Sequence, residues 1–102
     1  MKPTDTLQSS FNRALKYLSQ RAKSKKEVED YLFKKGYAEN EIKVAIDRLL
    51  ELKFLNDDEF TNYYAKSRQL RGKSKRLISY ELSKKGITKE KAEKSFENVQ
   101  SD

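Results

Sequence analysis

The chain of 102 residues contains neither cysteine nor histidine. Without cysteine it has no disulfide and no thiolate nucleophile, and without histidine it lacks the commonest general base. The usual zinc sites cannot form either, because they are built largely from these two residue types. The sequence therefore predicts a protein that is not an enzyme and that has no metal, no cofactor and no small-molecule substrate.

Long apolar segments are missing as well. No stretch approaches the ~20 apolar residues that a membrane span requires, and the first residues do not lead into an apolar run of signal-peptide length. We therefore expect a cytoplasmic protein with no membrane partner. Hydrophobic residues make up 35% of the chain, so the core is thin and each element must contribute a whole apolar face.

Proline and glycine are scarce, with one proline, Pro3, and three glycines, Gly36, Gly72 and Gly86. Such a sequence permits long helices, which the glycines interrupt. Apolar residues recur at the three-and-four spacing of a helical face, which predicts six helices. Their bounds are about 7–22, 24–36, 39–53, 56–71, 74–86 and 88 onward. The predicted apolar faces include Ala22, Leu50, Tyr63, Leu77 and Val99.

Polar residues before the predicted helices indicate where they begin. Ser24 followed by Glu27 is a capping box, and Leu55 and Phe60 occupy the positions of a hydrophobic staple around Asn56. Acidic residues 57–59 complement the positive end of the fourth helix, which explains them without a metal site. We expect hydroxyl caps at Ser24, Ser74 and Thr88, whereas Ala38 replaces the cap of the third helix.

The second half of the chain repeats the first. Serine caps, apolar positions and a Lys-Lys-Gly sequence recur fifty residues apart, as with Ser24 and Ser74. For the first helix of each half the pattern favours a shift of forty-nine, which pairs residues 11, 14 and 15 with residues 60, 63 and 64, with one residue inserted near Gly72. The sequence thus predicts an all-α protein of two tandem three-helix repeats, stacked in an elongated, curved array. We expect an N-terminal tail at 1–6 and repeats at 7–55 and 56–102.

The net charge of +7 is concentrated in two segments. Residues 6–26 and residues 60–80 each hold six basic residues and no acidic one, whereas residues 27–59 hold ten acidic and five basic residues. Two matched basic segments favour a polyanionic partner, either a phosphate backbone or an acidic protein groove. The alternative interpretation is a lysine-rich surface that serves solubility alone.

The basic residues around Gly72 are the strongest candidates for such contacts. Guanidinium groups and the backbone N–H groups at the start of the fifth helix converge there on one anion site. Tyr80 is the ring most available to stack on a base, whereas Tyr64 is expected in the core. The candidate partner-binding residues are Arg68, Arg71, Lys73, Lys75 and Arg76, followed by Arg21, Lys23, Lys25 and Lys26.

Several motifs, in order along the chain, resemble those of a known family. They are residues 14–21 (ALKYLSQR), Ser24 with Glu27 and Val28, residues 32–37 (LFKKGY), residues 55–60 (LNDDEF), Arg68 with residues 71–73, and residues 78–87 (ISYELSKKGI). Together they resemble the RecX regulatory proteins, bacterial modulators of the RecA recombinase. The resemblance begins near Leu7 and covers the first two of the three helical repeats that family members typically carry.

The resemblance implies a non-enzymatic protein that binds RecA filaments on single-stranded DNA and inhibits ATP hydrolysis, strand exchange and coprotease activity. Direct contacts to DNA phosphates would add to this binding, and we expect a monomer. The residues alone leave two other interpretations open, a small basic DNA-binding module and an adaptor for another acidic protein. Against the first, the third and sixth helices offer few side chains that read bases.

Overall fold

The computed structural model describes the backbone of residues 3–100 and the side chains of residues 7–97. Within that range the chain is all-α, which confirms the predicted fold class. No helix in this part of the chain is both long and apolar enough to cross a membrane. The helices are α1 (Pro3–Gln20), α2 (Lys25–Lys34), α3 (Glu39–Glu51), α4 (Asp57–Leu70), α5 (Lys75–Lys84) and α6 (Lys89–Gln100).

The helices form two compact units of three, as the sequence predicted, and the units divide between Asn56 and Asp57. In the first unit the core lies where α1, α2 and α3 meet, with Val28, Leu32 and Leu49 wholly buried. Leu55, which follows α3, packs into the same core. The core of the first unit is therefore completed by a residue just before α4.

The second unit is built on the same plan from α4, α5 and α6. Phe60, Ile78 and Leu82 lie at the centre of its core, each with an exposed fraction of 1% or less. Phe96 of α6 packs against them. Leu55 and Phe60, which the sequence paired as a staple, thus belong to the cores of different units.

Side-chain caps fix the starts of three helices. The Glu27 backbone N–H donates to Ser24 Oγ (3.2 Å), and the Ser24 backbone N–H donates to the Glu27 carboxylate (2.9 Å), which is the predicted capping box. The Ser74 and Thr88 hydroxyls each accept a backbone N–H from the first turn of the following helix at 3.2 Å. All three predicted caps are therefore confirmed.

Helix α3 begins without a hydroxyl cap. Ala38 occupies the cap position, and its backbone N–H donates to the Glu41 carboxylate at 2.7 Å. That bond is the returning half of a capping box, so Ala38 lacks the acceptor that a serine or threonine supplies to the first-turn N–H groups. Fifty residues later, Thr88 supplies this acceptor to α6.

The C-terminal ends of α2, α3, α4 and α5 share one closing motif. A residue with positive φ follows each helix, and the next N–H returns to a carbonyl five residues back, as from Tyr37 to Leu32 (3.2 Å). Glycine fills this position at three ends, including Gly36 and Gly72, without a steric penalty. After α3, Lys53 adopts φ 65° instead. The helix stops predicted at the glycines are thus confirmed.

The two units correspond at a constant shift of fifty residues, and this includes their first helices. Helices α1 and α4 end at the equivalent residues Gln20 and Leu70, and the following helices begin at Lys25 and Lys75. The two links are therefore equal in length. The prediction of one inserted residue near Gly72 is therefore wrong.

The pattern of burial agrees with the shift of fifty. Ser10 and Phe60 are both buried, as are Phe11 and Thr61, which follow them. The sequence prediction paired Phe11 with Phe60, together with two following positions of the helix, and this produced the shift of forty-nine. The same positions are buried in both units, although the residue types at these positions differ. An alignment based on residue type therefore shifted the first helices by one position.

Some details of the predicted helices differ from the structure. Helix α1 begins at Pro3, so residues 3–6 of the predicted tail are helical, and it ends before Ala22, which is exposed. Three residues predicted on apolar faces are 39–56% exposed, because a unit of three helices buries only a narrow stripe of each. They are Leu50, Tyr63 and Leu77. The side chain of Val99 lies outside the described residues.

Replacing Ala38 with threonine should stabilise the first unit. The backbone there is already extended (φ −74°, ψ 156°) and the side chain is exposed, so a hydroxyl can cap α3 without strain. We expect Ala38→Thr to raise the free energy of unfolding by about 0.5–1 kcal/mol, measured by urea denaturation. Thr88→Ala, the matched change at α6, should lower it similarly. An unchanged urea midpoint for Ala38→Thr would contradict this explanation.

Candidate functional site

The link between α4 and α5 and the start of α5 carry four exposed basic side chains. We call this set the basic link: Arg71, Lys73, Lys75 and Arg76. The backbone beneath it is fixed, since the Lys73 N–H donates to the Arg68 carbonyl (3.1 Å) and the Ser74 hydroxyl caps α5. The four cations are thus held on a defined turn rather than on a loose loop.

The basic link places positive charge at the end of α5 where the helix dipole is also positive. Lys75 and Arg76 lie in the first turn of α5, at the positive end of the helix dipole, and that turn contains no acidic residue. The first turns of α2, α3 and α4 each contain at least one carboxylate. Helix formation therefore does not explain the cations on α5, and an anion bound at this end would offset their repulsion.

Arg68, the first residue of the predicted set, contacts Glu81 of α5. Its Nε donates to Glu81 Oε1 (2.9 Å), its Nη2 donates to Oε2 (2.7 Å), and the Tyr64 hydroxyl also donates to Oε1 (2.9 Å). The Arg68 and Glu81 side chains are 25% and 23% exposed. This paired, charge-assisted geometry orients the guanidinium group. Arg68 therefore joins α4 to α5 next to the basic link.

These contacts shift the pKa values of both partners. The hydrogen bonds from Arg68 lower the pKa of the Glu81 carboxyl below its ordinary value, partial burial opposes this shift, and the Tyr64 hydroxyl adds to it. The bonds to Glu81 raise the pKa of Arg68. Glu81 therefore stays ionised at lower pH than an exposed glutamate, and the ion pair persists throughout the neutral range.

The corresponding region of the first unit is built from aromatic rings. Lys23 is 4% exposed, and its Nζ donates to the Tyr17 carbonyl (3.4 Å) and lies 4.1 Å from the Tyr17 ring centroid. Tyr17 stacks on Tyr31 of α2 with centroids 3.9 Å apart, and burial raises the pKa of Tyr17. Tyr31 is the residue equivalent to Glu81. Lys23 thus contributes to packing within the first unit.

The other candidates of the first unit lie on its surface. Arg21 and Lys25 are exposed, and Arg21 Nη1 lies 3.5 Å from the Ala22 carbonyl. Lys26 donates to Asp30 across one turn of α2 at 3.0 Å. The first turn of α2 also contains an acidic residue, whereas that of α5 contains none. The two basic segments of the sequence therefore form surfaces of different character.

Tyr80 provides an exposed ring one turn beyond Arg76 on α5. Its side chain is 58% exposed, and Lys84 Nζ lies 5.1 Å from the ring centroid. Tyr64 is half-buried and packs against the second core, which confirms the sequence prediction for that ring. Of the two tyrosines, Tyr80 is thus the one that a ligand of the basic link can reach.

Sequence reasoning missed Glu81 as the partner of Arg68. The signal was present, because Glu81 lies beside Leu82 and three residues after Ile78, two buried residues of α5. A carboxylate next to the buried stripe is partly desolvated and requires a cationic partner. The burial of Lys23 had no comparable signal, since it lies in the link between α1 and α2, outside any helical periodicity.

Among the described residues, no group of three or more histidine, cysteine or acidic side chains is placed to hold a metal ion. The acidic residues 57–59 form the first turn of α4, and Asp58 accepts from Lys91 of α6 at 3.3 Å. Carboxylates are favoured at this end of a helix by its dipole. Their position therefore agrees with the helix-terminal role that the sequence predicted.

The fold defines a class of protein, the all-α proteins built from tandem three-helix domains. Residues 11–49 match the family described as "RecX, first three-helix domain", and residues 56–95 match the family described as "RecX, second three-helix domain". These two matches cover more than half of the chain. The chain therefore belongs to the RecX family of regulatory proteins.

Individual relatives show the same similarity. Regulatory protein RecX of Bacillus subtilis is 43% identical over 84 residues, covering 81% of this chain and 32% of that protein. The Listeria innocua protein is 32% identical over 103 residues, covering 100% and 38%. The crystal structure of RecX from Lactobacillus salivarius has a TM-score of 0.79 at 34% identity, covering 90% of this chain and 60% of that one. The chain spans about a third of the length of the first two relatives.

Replacing Glu81 with glutamine should destabilise the second unit in a pH-dependent way. A carboxyl whose pKa is lowered by folding adds stability above its unfolded-state pKa of about 4.3, and this stability is lost as the pH falls through the folded-state pKa. We therefore expect Glu81→Gln to lower the urea midpoint at pH 7. The difference from the unsubstituted chain should shrink as the pH falls below about 4.

Glu97→Gln, at an exposed position of α6, is the control for this change. It removes one carboxylate of the same type and should leave the urea midpoint nearly unchanged at each pH. A midpoint difference for Glu81→Gln that is equal at neutral and acidic pH would show that the ionised carboxylate does not supply the stability.

Proposed function

We propose that this chain regulates RecA by binding RecA filaments on single-stranded DNA and lowering their ATPase, strand-exchange and coprotease activities, without enzyme activity of its own. Membership of the RecX family supports the identity of the partner. The basic link is the observation that carries the proposal. Four exposed cations on a fixed turn, at a helix start that they destabilise, suit a polyanionic target such as a nucleoprotein filament.

The side chains of the basic link are suited to both phosphate and carboxylate. Arg71 and Arg76 carry planar guanidinium groups, which bind either anion through two parallel hydrogen bonds. Lys73 and Lys75 add positive charge that attracts an anionic target and speeds association. Tyr80 adds a ring that can stack on an unpaired base. A surface of acidic side chains close to single-stranded DNA fits this combination.

The other candidate residues contribute indirectly or more weakly. Arg68 positions the basic link, because its ion pair with Glu81 holds α5 on α4. Lys23 is buried and supports the packing of the first unit. Additional positive charge from the first unit comes from Arg21, Lys25 and Lys26.

Charge reversal in the basic link tests the proposal. We expect the chain to slow ATP hydrolysis by RecA on single-stranded DNA, and Arg71→Glu with Arg76→Glu to raise the concentration needed by at least about tenfold. Two attractive contacts become repulsive in this variant, and added salt should weaken the inhibition by the unsubstituted chain. The glutamate at position 76 favours the start of α5, so helix loss does not explain a reduced effect.

The matched control is Lys34→Glu with Lys94→Glu, which changes the net charge equally at exposed positions of α2 and α6. This variant should inhibit the ATPase as well as the unsubstituted chain does. Unchanged ATPase at saturating chain would refute the proposal. Equal loss of inhibition in both double variants would assign the effect to net charge and not to the basic link.

Binding measurements separate this function from the two alternatives. Fluorescence anisotropy with RecA on DNA, with RecA alone and with DNA alone should show tightest binding to the filament. Equal or tighter binding to naked duplex, with a steep salt dependence, would identify a DNA-binding module instead. Binding to none of the three would point to a different acidic protein as the partner.

A further inference from the structure

A groove lies between α2 and α3 of the first unit. Its volume is about 490 Å³, within the range of ~300–1,000 Å³ that is typical of binding pockets. Ile42 and Ile46, which are 8% and 2% exposed, form its apolar floor, and Phe33 also lines it with 73% exposure. Scattered exposed apolar residues are common. An exposed phenylalanine that borders an apolar groove is instead typical of an interaction site.

Carboxylates surround this apolar floor. The charged lining comprises four acids and two lysines, a formal charge of −2 in a chain of net +7: Glu29, Asp30, Glu39, Asp47, Lys25 and Lys43. Asp30 accepts from Lys26 and Asp47 accepts from Lys43, but both pairs are exposed and lie within one helix. Such exposed pairs add little stability, but their opposite charges largely cancel at a distance. The carboxylates that remain in excess are therefore Glu29 and Glu39, against Lys25. The field of the groove attracts cations, whereas the basic link attracts anions.

The equivalent groove of the second unit has a different lining. It lies between α5 and α6, has a volume of about 430 Å³, and is lined by three basic and two acidic residues. Lys89 stands there at the position of Glu39, and Ser83 stands at the position of Phe33. The three-helix fold thus produces a groove in both units. The excess of carboxylates and the exposed phenylalanine belong to the first unit.

We propose that the groove between α2 and α3 is a second protein-binding site, which takes a cationic amphipathic helix from a partner protein. A bulky apolar side chain of the partner packs over Ile42 and Ile46 beside Phe33, while lysine or arginine side chains pair with the carboxylates. Helix α2 has ten residues and a length of about 15 Å, so the groove accommodates two to three turns. This site is distinct from the basic link, which repels such a helix.

Peptide binding to the whole chain tests this site. The probe is a synthetic helix of about 14 residues with phenylalanine and leucine on one face and four lysines beside them. We expect a Kd of about 10–100 µM by calorimetry, and Phe33→Ala to weaken binding at least about tenfold, because it removes the exposed ring. Glu29→Gln with Glu39→Gln should weaken binding about threefold or more at low salt, and less at high salt.

Matched variants on the second unit control for general effects. Tyr80→Ala removes an exposed ring from α5, and Glu90→Gln with Glu97→Gln removes two exposed carboxylates from α6. Both should bind the peptide as tightly as the unsubstituted chain. The Phe33→Ala variant should also inhibit the RecA ATPase normally, so failure of this site is distinguishable from failure of the proposed regulation.

Three results would overturn the proposal. The first is no binding of the cationic peptide at about 1 mM. The second is equal binding by Phe33→Ala, or equal binding of a scrambled peptide with the same charge, since either shows that the groove confers no specificity. The third is self-association in analytical ultracentrifugation that Phe33→Ala abolishes, because the occupant of the groove is then a second copy of the chain.

Discussion

Helices α2 and α5 have ten residues each, which is shorter than an isolated helix needs to be stable in water. Each begins at a serine that accepts a first-turn N–H and stops before a glycine with positive φ. These contacts satisfy backbone groups that the helix ends leave unpaired, and they set the direction of the chain into the next helix. The core of each unit depends on this closure, since three short helices enclose a core only when the links hold them together.

The two units share the same helix caps and stops, but their first two helices contact each other through different side chains. In the first unit Tyr17 stacks on Tyr31, and Lys23 is buried against the Tyr17 ring. In the second unit Arg68 pairs with Glu81 at the same junction. The first arrangement draws a lysine of the link into the interior. The second leaves the cations of its link on the surface, and this difference separates two basic segments that look alike in sequence.

Local features of the fold could be predicted from the sequence because each depends on neighbouring residues. Ser24 with Glu27 and the glycine stops are of this kind, and so is the helical spacing that predicts an all-α chain of two units. The pairing of Phe11 with Phe60 failed because helical periodicity identifies a face only to within adjacent positions. The correct register required knowledge of which side chains the other two helices cover.

The candidate site was predictable to a similar extent. The run of charges located the basic link, but charge alone did not distinguish exposed Arg71 from buried Lys23, or from Arg68 in its ion pair. Those differences depend on contacts between separate elements, such as the bond from Arg68 to Glu81, thirteen residues away. No periodic pattern records such a contact, although the position of Glu81 beside the buried stripe called for a cationic partner.

The ion pair between Arg68 and Glu81 also influences the charge of the basic link. Lys73 is near enough for its charge to lower the pKa of Glu81, so this carboxylate interacts with the link. Arg68 holds both carboxylate oxygens through its own hydrogen bonds, and the opposite charges of the pair largely cancel at a distance. Glu81 therefore offsets little of the positive charge of the link. By binding Glu81, Arg68 thus limits how far this carboxylate neutralises the basic link, although Arg68 is not one of its four exposed cations.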